Sequence, residues 1–369
     1  MPGINAILPS LATAMIILSG FNRKTIIYNI LSNRTGVFFG NISYSLYLWH
    51  WPVIVYYKLS VNMNLNNIDK LIVLVVSIVL GFLSWLWVEK NGKIIFPKRN
   101  NYIIAIVSML FICATTFVLQ HVNYGKFSDD QRKYASYLNY EAEEYREGIC
   151  FLTSRYNSFD FYDRDTCVAH EEGKKNHLLL GDSHAAHWFY AIDDIRPSSV
   201  TITQVTSSGC HPTIPFVGSE RCTDLMNWAF EELLPTKYFD KIILSSRWKY
   251  HSASLLKNTI EKLRLYTDNI VVLGPTVEYD SQLPRILAFN QDESSISKHR
   301  LYDKIKHIDN KMREETLNIK NVRYVSILDA LCSAQNECVT NIEGGVPIAF
   351  DYGHFTAEGA KYVIGKIKL

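Results

Sequence analysis

The chain has 369 residues, 48% of them hydrophobic and 20% charged, and a formal net charge of +2. It is long enough for two domains; the net charge says little about partners, and no nucleic-acid partner is expected. The mean hydropathy of −0.01 averages two unlike parts, an apolar stretch with few acids over 1–120 and ordinary globular composition after it.

Four stretches of the first part are predicted membrane helices: 4–20, 42–58, 71–88 and 102–119. The last two each run about 18 residues without a charge, close to the ~20 that cross a hydrocarbon core. The first two are weaker, one short and the other carrying His50 and Pro52. A signal peptide is not expected, because no basic segment precedes the first apolar run and Arg23 and Lys24 follow it. Arg23, Lys24 and Arg34 in 21–41, and Lys90, Lys93, Lys98 and Arg99 in 89–100, put those loops in the cytoplasm. Everything after 120 is then outside, and the expected location is the inner (cell) membrane, multi-pass, with a periplasmic C-terminal domain.

Cysteine usage gives an independent reading. Cys150, Cys167, Cys210, Cys222, Cys332 and Cys338 lie in the second part, while Cys113 falls in the last apolar stretch. Nearest-neighbour grouping in an oxidising compartment predicts Cys150–Cys167, Cys210–Cys222 and Cys332–Cys338 as disulfides. Without CxxC or close Cys/His spacing, no metal is expected.

Residues 121–149, polar and Tyr-rich without proline, are predicted as a helical linker lying along the domain. From 150 to 369 short apolar strands (177–183, 200–206, 241–247, 269–275, 322–328) alternate with helical patterns (221–234, 295–317, 356–369). That alternation predicts an α/β domain with a parallel sheet covered on both faces.

Ligands of open α/β sheets bind outside the carboxyl ends of the strands. Small polar residues sit there: Gly181-Asp182-Ser183-His184, Ser207-Ser208-Gly209, Ser245-Ser246-Arg247-Trp248 and Gly274-Pro275-Thr276. Ser183, at the start of a predicted helix, would have N–H donors and a favourable dipole around it. A serine nucleophile also needs a base and a group to orient that base. Asp351 and His354, three apart before the final helix, can supply both. Asp182 is expected to fix the turn, His184 and His187 to pack beside it, and His211 with Pro212 to belong to a disulfide-bounded loop.

GDSH at 181–184 with DxxH at 351–354 resembles blocks of the SGNH hydrolase/transferase superfamily over roughly 150–369. ILPSLATAMIILSG (7–20) and NISYSLYLWHWPVIV (41–55) resemble the closing helices of the membrane-bound acyltransferase-3 family, members of which carry C-terminal SGNH domains and O-acetylate envelope glycans. The resemblance implies a multi-pass membrane segment followed by an SGNH-like, flavodoxin-like α/β domain. It implies Ser183 as nucleophile, His354 as base, Asp351 as its partner, and the N–H groups of Ser183 and Gly209 as oxyanion donors. Where many members have a glycine followed by asparagine, this chain has SSRW. Arg247 then either brings charge to the oxyanion or glycan, or forms a rim ion pair beside a packing ring of Trp248.

The implied activity is O-acetyl transfer to a glycan such as lipopolysaccharide O-antigen, with an acetyl-esterase or non-catalytic partner subunit as the alternative. No cofactor is expected on this chain. The acetyl group would come ultimately from acetyl-CoA through a membrane acyltransferase half. The family's acetyl-transfer motif is not found before residue 41, so 1–120 reads as a truncated acyltransferase-3-like segment: either the protein is a truncated product, or a separate chain supplying the missing helices is an expected partner, beside the glycan and the lipid bilayer. His50, between Trp49 and Trp51, reads either as a functional intramembrane residue or as part of an interfacial aromatic belt.

Overall fold

The computed structural model describes residues 7–20, 26–60, 65–90, 106–107, 109–111, 113–115, 117–118, 127–290, 292–367 and 369. The chain forms two compact units, Met1–Lys126 and Phe127–Leu369.

In the first unit, helix Arg34–Ser60 packs with helix Asn67–Ser84, which runs on through a π turn to Lys90. The second helix starts at a capping box: Asn66 accepts from the N–H groups of Ile68 and Asp69, and Asp69 accepts from Asn66 N–H. Ser45 donates to Glu89 and Tyr57 donates to Asp69 at 2.8 Å, so both carboxylates have hydroxyl partners.

Among the described residues only Asn67–Lys90 is long and apolar enough to cross a membrane. Of the four expected spans, the described residues support one, and a multi-pass segment is not supported by them. The apolar helix at Ile7–Leu18 is too short, and Arg34–Ser60 is interrupted by Asn41, Ser43, Ser45 and His50. The predicted span at 102–119 is described only in pieces, and the basic loop at 89–100 lies almost wholly outside the described residues.

The second unit is built on a parallel sheet of six strands: β1 (Phe151–Leu152), β2 (Lys175–Gly181), β3 (Val200–Ser207), β4 (Lys241–Ser245), β5 (Ile270–Leu273) and β6 (Val322–Val325). Their order is β1-β3-β2-β4-β5-β6, with Leu180 level with Val205 and Leu244. Side chains alternate between faces. Leu178, Leu180, Ile242 and Leu244 join Leu225, Met226 and Phe230 on one side. Leu179, Ile243, Val271 and Leu273 join Trp188, Val363 and Ile364 on the other. Burial on both faces is why these strands read as unbroken apolar runs.

From β2 the chain winds outward to β3, then crosses back to β4 on the other side of β2. The carboxyl ends of β2 and β4 are thus the switch point of a flavodoxin-like order, where a crevice opens. The five predicted strands all form. β1, only two residues long, was not foreseen.

Residues from 127 onward belong to this unit. Helix Asp129–Ser136 and the short 3-10 turns Tyr137–Asn139 and Glu143–Tyr145 replace the single helical linker expected over 121–149. Gln131 donates to Ala288 O at 2.9 Å, and the Tyr140 hydroxyl accepts from Ala357 N–H at 3.0 Å. The disulfides are Cys150–Cys167, Cys210–Cys222 and Cys332–Cys338, as the grouping predicts.

Candidate active site

β2 ends at Gly181, whose φ is +152°. A Cβ there would stand 1.7 Å from Ser245 O, so only glycine lets β2 and β4 close this tightly. The chain then turns into helix Ser183–Ile195, with Asp182 as its N-cap, accepting from His184 N–H at 2.8 Å. Ser183 is the first residue of that helix, held at the switch point by strand and cap together.

The opposing loop comes from the chain's last turn of the fold. An isolated bridge pairs Ala349 with Phe355 and closes the loop between them. Inside it, Asp351 Oδ1 accepts from Gly353 N–H (2.9 Å) and His354 N–H (2.8 Å), while Oδ2 lies 2.7 Å from His354 Nδ1. His354 Nε2 lies 2.8 Å from Ser183 Oγ. Burial alone would raise the Asp351 carboxyl, but the His354 side chain and the two N–H groups outweigh it and hold it below the ordinary value. An ionised Asp351 keeps the proton on Nδ1 and leaves the Nε2 lone pair for the serine. Ser183, His354 and Asp351 thus form one hydrogen-bonded chain able to deprotonate the hydroxyl as it attacks a carbonyl.

Ser183 N–H and Gly209 N–H carry no hydrogen bond to another described residue. Gly209 has a φ of +69°, the left-handed turn that ends β3. Gly209 follows β3, which pairs with β2 as far as Gly181 and Thr206, so both N–H groups lie at the carboxyl end of the sheet.

Arg247 does something else. Its backbone N–H donates to both Asp182 oxygens (3.1 and 2.9 Å). Its guanidinium grips Glu278 through Nε (2.6 Å) and Nη2 (3.2 Å) and lies 4.1 Å over the Tyr352 ring. Lys304 adds a second cation to Glu278 at 3.1 Å. Burial would raise Glu278, yet Arg247 first and then Lys304 hold it below the ordinary value. The side chain is therefore committed to a rim ion pair. Trp248 is a buried packing ring whose indole N–H donates to Leu273 O at 2.7 Å.

His184 and His187 are fully buried against the base, the His184 ring 4.4 Å from that of His354. Burial, followed by the charge of His354, depresses both imidazoles well below their ordinary pKa, so they stay neutral. His184 Nδ1 meets Thr276 Oγ1 at 3.1 Å. Neither is bonded to Ser183. His50 is turned back on its own helix, with Nδ1 2.7 Å from Tyr47 O.

Two features escaped the sequence. Glu278 has no motif to tie it to Arg247 across 31 residues. His211, read as a loop residue, has Nδ1 2.7 Å from Ser246 Oγ, which in turn donates to Asp182 at 2.7 Å. Among the described residues no group of three His, Cys, Asp or Glu side chains is placed to hold a metal.

The model of the "SGNH domain (fused to AT3 domains)" family matches residues 150–368, more than half of the chain. The periplasmic domain of a lipopolysaccharide acetyltransferase from Salmonella ser. Paratyphi A is similar in structure, with 22% identity and a TM-score of 0.50, over 65% of this chain and 96% of that one. More remote are a carbohydrate acetylesterase family member from Sinorhizobium meliloti (10% identity, TM-score 0.32, 53% and 95% covered) and an acetylxylan esterase of Geobacillus stearothermophilus (10%, 0.32, 54% and 97%). These two are too distant to bear on this chain. No curated protein sequence matches it. The parallel sheet, its switch point and the family match agree: the chain belongs to the family of SGNH domains fused to AT3 domains.

Proposed function

We propose that the protein is an O-acetyltransferase that passes an acetyl group to a hydroxyl of a cell-envelope glycan, of the lipopolysaccharide O-antigen kind, through a serine acetyl-enzyme. The observation that carries this reading is His354 bridging Ser183 and Asp351 at the switch point, 2.8 and 2.7 Å from its partners. Ser183 Oγ attacks the acetyl carbonyl and gives its proton to His354 Nε2, which returns it to the leaving group. The oxyanion formed is met by Ser183 N–H and Gly209 N–H. The incoming hydroxyl then loses its proton to His354 as it attacks the acetyl-enzyme, and Ser183 recovers a proton as it leaves.

The membrane arrangement belongs to the same proposal. The chain is anchored in the inner membrane with the second unit in the periplasm, and the acetyl group arrives from acetyl-CoA by way of a membrane acyltransferase half. One membrane-length helix and three disulfides support it.

The test is turnover of an activated acetyl ester by the full chain in detergent. Wild type should hydrolyse it, and Ser183→Ala and His354→Ala should each lose about 10³-fold or more, because triad members act as a unit. A folded Ser183→Ala with wild-type turnover contradicts the reading. A folded wild type inert toward ester and glycan alike favours a non-catalytic subunit.

A further inference from the structure

The mechanism above leaves one polar chain at the switch point unused. Asp182, directly before Ser183, is buried and accepts from His184 N–H, Arg247 N–H and Ser246 Oγ–H. The single proton of Ser246 is committed to that carboxylate, so the lone pairs of Ser246 face His211. His211 Nδ1, 2.7 Å away, must then be the N–H donor. This fixes the tautomer and leaves Nε2 as a hydrogen-bond acceptor.

Nε2 has no hydrogen-bond partner among the described residues, and the His211 side chain keeps 22% of its surface exposed. Burial lowers the imidazole pKa against the pull of Asp182, with Lys249 and Arg247 adding to the lowering, so the ring stays neutral and acceptor-only at Nε2. A loop peg would need only the contact to Ser246. Here a buried carboxylate and a buried hydroxyl orient a ring whose far nitrogen faces outward.

Position completes the argument. His211 lies two residues after Gly209 and 3.9 Å from Asp182, on the β3 side of Ser183. His354 approaches from the final loop. A neutral acceptor at this edge complements a neutral hydroxyl donor and offers nothing to a carboxylate or phosphate.

We propose that His211 Nε2 forms an acceptor subsite, taking a hydrogen bond from a sugar hydroxyl of the incoming glycan and positioning it for attack on acetyl-Ser183. His211 is a binding and positioning residue. The proton of the reacting hydroxyl still goes to His354. The inference rests on the acyl-enzyme reading above, and its test is built to fail separately.

The readout is a partition ratio, acetylated sugar over free acetate, for the full chain in detergent with p-nitrophenyl acetate as donor and methyl glycosides as acceptors. Both products drain one acetyl-enzyme, so the ratio is independent of the acylation rate and of the folded fraction. His211→Asn keeps a donor toward Ser246 but has nothing at the place of Nε2, and should lower the ratio about 5- to 10-fold, the loss of one hydrogen bond. His211→Gln, whose terminal oxygen reaches that place, should hold it within about 2-fold of wild type.

An unchanged ratio in His211→Asn overturns the subsite, as does an equal loss in Asn and Gln variants, which marks a loop role. Wild type that yields acetate but no acetylated glycoside also overturns it, while leaving the acyl-enzyme standing. A Ser183→Ala variant that turns over like wild type removes the acyl-enzyme itself, and the subsite with it.

Discussion

Arg247 and Ser183 both stand at carboxyl ends of strands, and their surroundings assign them different work. Ser183 Oγ faces a histidine. Arg247 faces Glu278, whose side chain is only 4% exposed. Arg247→Ala should therefore cost stability more than rate: about 1–3 kcal/mol, since Glu278 keeps Lys304 as a partner, with kcat lowered less than 10-fold. Urea unfolding and ester turnover on the same preparation check this. A loss of ~10²–10³ in kcat would instead mark an oxyanion donor. The grouping of Ser183, Asp351 and His354 could be read from sequence because their motifs fall at a strand end and before the last helix. The Arg247–Glu278 pair could not, because it joins loops after different strands and neither residue type announces the other.

Helix Ser183–Ile195 carries a second consequence, through His184 and His187. Unfolded, each takes up a proton near pH 6.5; folded, burial holds each well below that. The stability they protect is complete above about pH 7 and is lost as pH falls through about 6.5, at up to ~1.4 kcal/mol per pH unit for each group. Tryptophan-monitored urea unfolding should show a lower midpoint at about pH 5.5 than at about pH 7.5. His187→Phe, which fits among Trp188 and Phe355, should flatten the difference. A midpoint that stays level or rises on acidification would contradict this.

The strand before that helix makes a sharper demand. Gly181→Ala puts a methyl group into the β4 backbone, which no side-chain rotation relieves, and should leave no folded second unit by proteolysis. A soluble, protease-resistant variant would refute the close approach. At this scale the strands were legible because burial on both faces writes them as apolar runs. The predicted helix over 295–317 was not: it splits into Glu293–Ser297 and Tyr302–Thr316. Between them Arg300 is buried, and Leu301 N–H pairs with Glu278 O, contacts set by a distant segment.

Across the second unit, each disulfide closes a short loop: the partners lie 17, 12 and 6 residues apart. Cys210–Cys222 ties the loop bearing Gly209 and His211 to the helix starting at Glu220. Replacing both cysteines by serine should cost about 2–5 kcal/mol, read as a lower urea midpoint, with free thiols absent from the untreated wild-type couples. Their pairing was legible because each couple is local in sequence. The membrane part was less so, since apolar composition alone does not separate a long span such as Asn67–Lys90 from a shorter or polar-interrupted helix.

The central claim is that Ser183 carries the acetyl group. Its most direct test is acid quenching of the full chain during turnover of an acetyl ester, followed by peptide mass mapping. An acetyl group on Ser183 in wild type, and none at that position in Ser183→Ala, is the predicted result. Steady product formation with Ser183 unmodified, or with the acetyl group on another residue, would contradict the account.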